Sequence, residues 1–259
     1  MATQQKQETE QATKPSLRPS EKSSISVDLD KERMWWYGEP GVGKSTTANF
    51  SDTLFIATDP GHSKMECFVV PIGSWAAFLA ICTELKTGEH KFKRICIDTI
   101  DKLYLMCSAA KCKALNIEHE TDLDGGKGWM VVNRAFDTTI QALTALKMGI
   151  IFISHEKTEK IKTRTEEYYK HSPSLSPAPA KIIGSYVDHI MRFAIEDDLD
   201  SVDKQKRIIQ VAKSKYYLSK SRGDKETSIF TNDMAMSYAA IQAEYEDGIK
   251  RLLEATKNV

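Results

Sequence analysis

The sequence predicts an α/β fold: a mostly parallel, twisted sheet with helices on both faces and antiparallel strands toward the C-terminus. Three observations predict it. Unbroken apolar runs such as "TLFIA", "RICID" and "GIIFIS" alternate with stretches of helical spacing, as strands buried on both faces do. A glycine-rich turn, "YGEPGVGKST" (Tyr37 to Thr46), joins the first such strand to the first helix. The 259 residues, 41% hydrophobic and 28% charged, suffice for one large domain with a well-buried core.

Taken in order, residues 1–24 are rich in Gln, Glu, Lys and Ser and read as a disordered arm. "RMWWYG" is a short strand running into the glycine turn, and "KSTTANFS" starts a helix. "TLFIATD" and "CFVVPI" follow as strands. "SWAAFLAICTELKTG" is a helix with Ser74 as N-cap and Gly88 as stop. "KRICIDT" is a strand, "IDKLYLMCSAAKCKALNI" and "GWMVVNRAFDTTIQALTAL" are helices, and "MGIIFISH" is a strand. The polar stretch Glu156 to Pro179, with three prolines in "SPSLSPAP", is expected to hold no regular element and to form a flexible loop over 156–180. "SYVDHIMRFAI" and "RIIQVAKSKYYL" read as strands around the acidic turn "EDDLDSVDKQ". The expected division is one α/β domain over 25–231 and a helical segment over 232–259.

Thirty-six basic and thirty-six acidic residues cancel, which argues against wholesale electrostatic binding of nucleic acid and leaves room for a local basic groove. No apolar run approaches the roughly 20 residues that cross a bilayer, and the N-terminus has no apolar leader, so no membrane partner is expected. The five cysteines (Cys67, Cys82, Cys96, Cys107, Cys112) form no CxxC pair and read as reduced core residues of a cytoplasmic protein.

The turn carries the chemistry. Gly38, Gly43, Lys44 and Ser45 satisfy G-x-x-x-x-G-K-[ST] between a strand and a helix. Such a loop, Gly38 to Thr46 with Glu39, Pro40, Gly41 and Val42 inside it, wraps a phosphate with backbone N–H groups at a helix N-terminus. Lys44 would reach the β- and γ-phosphates of ATP, and Ser45 would give a hydroxyl to Mg²⁺. The metal also needs a carboxylate, and Asp98, directly after a buried strand, supplies it. Asp101 reads as a first-turn charge of the next helix.

Four kinds of P-loop protein compete. A metabolite kinase needs an Arg-rich lid and a GTPase an [NT]-K-x-D motif, and neither is present. An AAA+ machine would carry a helical lid, whereas the region after Gly184 reads as strands. A RecA-like P-loop NTPase core puts a carboxylate at the end of the strand after the P-loop helix and a polar residue after the strand beyond Asp98. Asp59, ending "TLFIATD", fits as the group that orients or deprotonates the attacking water. His155, ending "GIIFISH", fits as a γ-phosphate contact. The other histidines have no metal-ligand spacing.

"YGEPGVGKST", "FIATDPGH", "RICIDTIDKLY", "GGKGW" and "IIFISHEKTEKIKTRT" together resemble the phage RecA-like ATPases, the Sak-type single-strand annealing proteins, over about Arg33 to Arg222. The resemblance implies a RecA/RadA-like core, ATP with Mg²⁺, and work on single-stranded DNA in recombination or replication in the host cytoplasm. Its expected partners are a homo-oligomer, ring or filament, and a single-strand binding protein. Lys44, Ser45 and Asp98 carry over directly. Asp59 falls where RecA proteins have a glutamate and His155 where many have a glutamine. "VAKSKYY" resembles the lysine pair that RecA filaments insert into a neighbour's ATP site, which makes Lys213 and Lys215 candidate trans-acting fingers. The alternatives are an ATP-gated helicase loader, a binding protein with little hydrolysis, and a metabolite kinase.

RecA proteins bind DNA through a loop leaving the same strand end as His155. Here that loop has six cations from Lys157 to Lys181 against three glutamates, a net +3. Lys157, Lys160, Lys162 and Arg164 could release counterions from phosphates, and Tyr168 and Tyr169 could stack on unpaired bases. The "DLDGGKGW" turn, Asp122 to Trp129, is a weaker candidate for DNA contact.

Overall fold

The computed structural model describes residues 25–50, 52–198, 205–223 and 228–257. The expected arm at residues 1–24 and the middle of the acidic turn, residues 199–204, lie outside them. In chain order the elements are β1 (Arg33–Gly38), α1 (Lys44–Ala48), β2 (Thr53–Ala57), β3 (Phe68–Pro71), α2 (Trp75–Thr87), β4 (Arg94–Asp98), α3 (Ile100–Leu115) and α4 (Lys127–Thr144). Then come β5 (Gly149–Lys162), β6 (Glu167–Pro173), α5 (Pro177–Tyr186), β7 (His189–Asp197), β8 (Gln205–Gln210), β9 (Lys220–Ser221), β10 (Met234–Ala235) and α6 (Tyr238–Lys257).

The sheet runs β10-β8-β7-β1-β5-β4-β2-β3. From β7 to β3 every pairing is parallel, and β8 and β10 add antiparallel strands at the C-terminal side. This is the mixed, mostly parallel α/β sheet that the sequence predicts. Alternate side chains of each strand face opposite sides. Trp35, Tyr37, Ile56, Ile97, Ile150 and Phe152 face one core layer, with Phe78 of α2, Leu103 of α3, Phe136 of α4 and Ile183 of α5. Met34, Trp36, Phe55, Cys96, Ile151 and Phe193 face the other, with Ala48 of α1 and Ile241, Tyr245 and Ile249 of α6. Trp35 and Trp36 are buried back to back, and aromatic side chains of this size each hide on the order of 150–250 Å². The expected C-terminal helix begins at Tyr238, after β10, and closes the second layer of the same core.

Ser74 caps α2 by accepting from Ala77 N–H, and Gly88 ends it in the left-handed region at φ 71°, as expected. All five cysteines are free. Four are buried and Cys67 is partly so.

Two sequence expectations are corrected. The segment 156–180 is not an irregular loop. β5 runs on for 14 residues to Lys162 and pairs with β6 as an antiparallel hairpin, from Glu156↔Pro173 to Lys162↔Glu167. Pro177 then stands in the first turn of α5, where its missing N–H has no helical partner to lose. The second correction concerns "VAKSKYYL": β8 ends at Gln210, so Lys213 and Lys215 lie in the connection after it.

Candidate nucleotide site

The parallel strands end on one edge of the sheet, and their register brings the predicted residues together. Gly38 of β1 pairs with His155 of β5, and Asp98 of β4 with Ile153 of β5 and Ala57 of β2. β5 therefore lies between the P-loop strand and the Asp98 strand. A cleft of ≈ 590 Å³ opens there, and Pro40, Gly41, Gly43, Lys44, Ser45, Thr46, Asp59, Asp98 and His155 all line it. Ligands in open α/β sheets bind beyond the carboxyl ends of the strands, and this volume suits a nucleotide.

The loop itself is shaped by two glycines, Gly41 at φ 76° and Gly43 at φ 121°. Gly38 has a different reason. A Cβ there would stand 2.3 Å from the Phe193 carbonyl oxygen of β7, so strand packing excludes one. Arg207 of β8 donates to the Val42 carbonyl at 3.0 Å and ties the loop to the antiparallel strands.

Lys44 is buried and donates to the carbonyls of Gly38 (2.8 Å) and Glu39 (2.9 Å). Burial lowers its pKa, against the pull of Asp98, Asp101 and Glu156. Ser45 Oγ donates to Asp98 Oδ2 at 2.6 Å. Burial opposes the Asp98 charge, but His62, Ser45 and Lys44 together hold its carboxyl below the usual range. A hydroxyl and an ionised carboxylate in contact beside the loop are the oxygen donors that Mg²⁺ prefers, so these residues fit a metal–nucleotide. Their orientation is shared with the sheet: Thr58 N–H donates to the Asp98 carbonyl, and Thr99 N–H to Thr58 Oγ1, both at 2.8 Å.

Three residues join this site that the sequence did not offer. His62 has its Nε2 3.3 Å from Asp98 Oδ2 and packs on Phe55. Nothing in "DPGHS" announced this, because the turn that returns His62 to Asp98 carries no spacing motif. Lys102 of α3 forms an ion pair with Asp59. Asp101 is more than a first-turn charge: it is largely buried and accepts from His155 N–H at 2.8 Å, and burial raises its pKa. A first-turn residue of α3 thus holds the backbone of the predicted γ-phosphate contact.

The predicted DNA residues divide between two faces. Cross-strand partners share a face, so Lys160, Lys162 and Tyr169 lie on one side of the hairpin, while Lys157 and Tyr168 lie on the other. Arg164 is in the turn. Lys157 pairs with Glu159, and Lys160 and Lys162 with Glu167. Tyr169 is 61% exposed. Lys181 belongs to α5 and not to the hairpin.

The finger candidates stand elsewhere. Lys215 pairs with Glu166 at 2.6 Å and sits over the rings of Tyr168 and Tyr216. Lys213 lines a separate cavity of ≈ 930 Å³ beside β9 and α6. The Asp122 to Trp129 segment runs from the end of one short 3-10 turn (Glu120–Asp122) through a second (Asp124–Gly126) into α4, and Gly128 is required there because a Cβ would meet the Glu120 carbonyl oxygen at 2.2 Å.

A P-loop at the head of a parallel sheet, with a carboxylate two strands away and a third strand end between them, defines a P-loop ATPase domain. The chain belongs to the AAA domain family, which it matches over residues 30–223. Among solved structures it is similar to a KaiC-like protein from the hyperthermophilic archaeon Pyrococcus horikoshii OT3, at 13% identity over 80% of this chain and 85% of that one, with a TM-score of 0.43. Among curated proteins none matches. Among the described residues no helix is long and apolar enough to cross a membrane.

Proposed function

We propose that the protein hydrolyses ATP with Mg²⁺ and couples the state of the nucleotide to single-stranded DNA held by the β5–β6 hairpin. One observation carries this reading. β5 is a single strand that passes His155 at the phosphate cleft and continues as the first arm of the hairpin bearing Lys160, Lys162 and Tyr169. A displacement of that strand end moves both.

In the hydrolysis, the oxygen of a water bonds to the γ-phosphorus. The bond from that phosphorus to the bridging oxygen breaks, its electron pair leaves on ADP, and the water's proton passes through Asp59 to solvent. Mg²⁺, where bound, would supply charge neutralisation to the phosphates. Lys44 exchanges two carbonyl partners for phosphate oxygens. Ser45 and Asp98 hold the metal side, and Asp59 orients the water. His155 donates to the γ-phosphate, its backbone held by Asp101. The resemblance to phage RecA-like ATPases supports a homo-oligomer, ring or filament, acting in recombination or replication in the host cytoplasm beside a single-strand binding protein. Lys213 and Lys215 remain candidates for a neighbour's site within that assembly. A switch with slow turnover is the second reading, favoured by Asp59 being shorter than a glutamate and held by Lys102.

ATPase assays with and without single-stranded DNA test the proposal. Turnover should rise with DNA and vanish in Lys44→Ala. Tight ATP binding with no hydrolysis under either condition would leave the switch reading, and turnover indifferent to DNA would remove the coupling.

A further inference from the structure

The proposed reaction leaves two cations that line the cleft without a task, Lys64 and Lys102, and Lys102 is the one paired with the carboxylate proposed to orient the water. It lies in the first turn of α3, four residues after Asp98, and lines the same cleft as Lys44, Ser45, Asp59 and His155. Its ammonium is paired with the carboxylate of Asp59. We propose that Lys102 is a catalytic cation supplied in cis: it exchanges Asp59 for the γ-phosphate of ATP and neutralises charge in the transition state. The inference rests on the ATPase reading above.

The argument is one of position and competition. Lys44, at the P-loop, and Ser45 with Asp98, on the metal side, would fix where the phosphates of a bound nucleotide lie. The terminal phosphate then faces Asp59 and His155. A carboxylate in front of a polyanion repels it unless a cation stands between them, and Lys102 stands on Asp59. The pair is weakly held, because the Lys102 side chain is 51% exposed and such pairs gain little in water. A γ-phosphate with two charges is the stronger partner for an ammonium. Transfer of Lys102 to the phosphate leaves Asp59 free to accept a water proton. The two events are then linked: Asp59 becomes competent when a γ-phosphate is present, and ADP cannot trigger the exchange. Lys215, by contrast, is engaged by Glu166, Tyr168 and Tyr216, and Lys213 opens on another cavity.

The experiment compares binding of ADP with that of the non-hydrolysable analogue AMP-PNP, together with ATP turnover. Lys102→Met should weaken AMP-PNP binding about tenfold or more and leave ADP binding unchanged, as loss of one charged hydrogen bond does. Turnover should fall on the order of a hundredfold or more, short of the loss of a complete arginine finger. Lys102→Arg should keep the preference for the triphosphate. A Lys102→Met/Asp59→Asn double variant should stay poor in AMP-PNP binding. Full recovery in that double variant would overturn the proposal, since Lys102 would then only mask Asp59. Equal changes for ADP and AMP-PNP in Lys102→Met, or none, would also overturn it while Lys44-dependent hydrolysis stands. A wild-type chain that binds both nucleotides and never turns ATP over would sink the ATPase reading but leave the AMP-PNP comparison in force.

Discussion

Asp101 shows how one buried carboxylate ties the site to the fold. Its oxygen holds His155 N–H, and burial raises its pKa above the ordinary 3.8. The folded protein therefore keeps this proton to a higher pH than the unfolded chain. Stability conferred at low pH is lost as pH rises through the raised value, and the cost is complete above it. Asp101→Asn retains an acceptor for His155 and removes the charge. Its melting temperature should exceed that of the wild type by a few degrees at pH 7, with the gap closing as pH falls toward 4. A lower melting temperature at pH 7 would mean that the carboxylate's bonds outweigh its burial. His62 illustrates what residues alone do not reveal. The P-loop was legible because its chemistry is local: within the run from Gly38 to Ser45 the geometry demands glycine, lysine and a hydroxyl in order. His62 reaches Asp98 across 36 positions of sequence by way of a turn, and no periodicity encodes that. Lys102 was hidden for the same reason, since its partner Asp59 lies 43 positions earlier, in the bend after β2.

At the scale of elements, the hairpin is the largest departure from the sequence expectation. Its strands carry "EKTEKIKTRTEEYYKHSP", in which charged residues occupy both faces and no apolar alternation marks a strand. The pairing is instead supported by cross-strand charges, Lys162 with Glu167 directly opposite, and by Glu156, which accepts from Arg192 of β7 at 2.7 and 2.9 Å. The three prolines pointed away from regular structure, yet one of them opens a helix. The division of tyrosines between faces gives a specific expectation. Tyr169→Ala should weaken single-stranded DNA binding by about 1–3 kcal/mol, the scale of one lost base stack. Tyr168→Ala should leave that affinity nearly intact while loosening the Lys215 contact. Neutralising Lys160, Lys162 and Arg164 should lower the salt dependence of binding by fewer than three charges, because two of these lysines already share Glu167. Salt titrations of a fluorescent oligonucleotide read both effects, and an unchanged slope would take DNA off this face.

Across the whole molecule, two core layers with the sheet between them account for the legibility of the fold. Strands buried on both sides must be apolar throughout, so they stand out in the sequence as runs. The same burial governs the thiols. Burial pushes Cys82 up to about 11 and Cys107 up to about 12, and Cys96 well above its usual range. A thiol reagent at pH 8 should label Cys67 first and reach the other four in step with unfolding, and rapid labelling of several thiols in the folded protein would contradict this packing. The arrangement of β1 has one more consequence. Trp35 is 1% exposed and donates from Nε1 to Ser154 Oγ at 2.8 Å, one residue before His155. This buried indole is thereby bonded to the strand whose next residue, His155, lines the phosphate cleft. Under the proposed coupling, nucleotide arrival should change the intrinsic fluorescence of the unlabelled protein, and replacing Trp35 by Phe, with Trp36, Trp75 and Trp129 left in place, should remove that change.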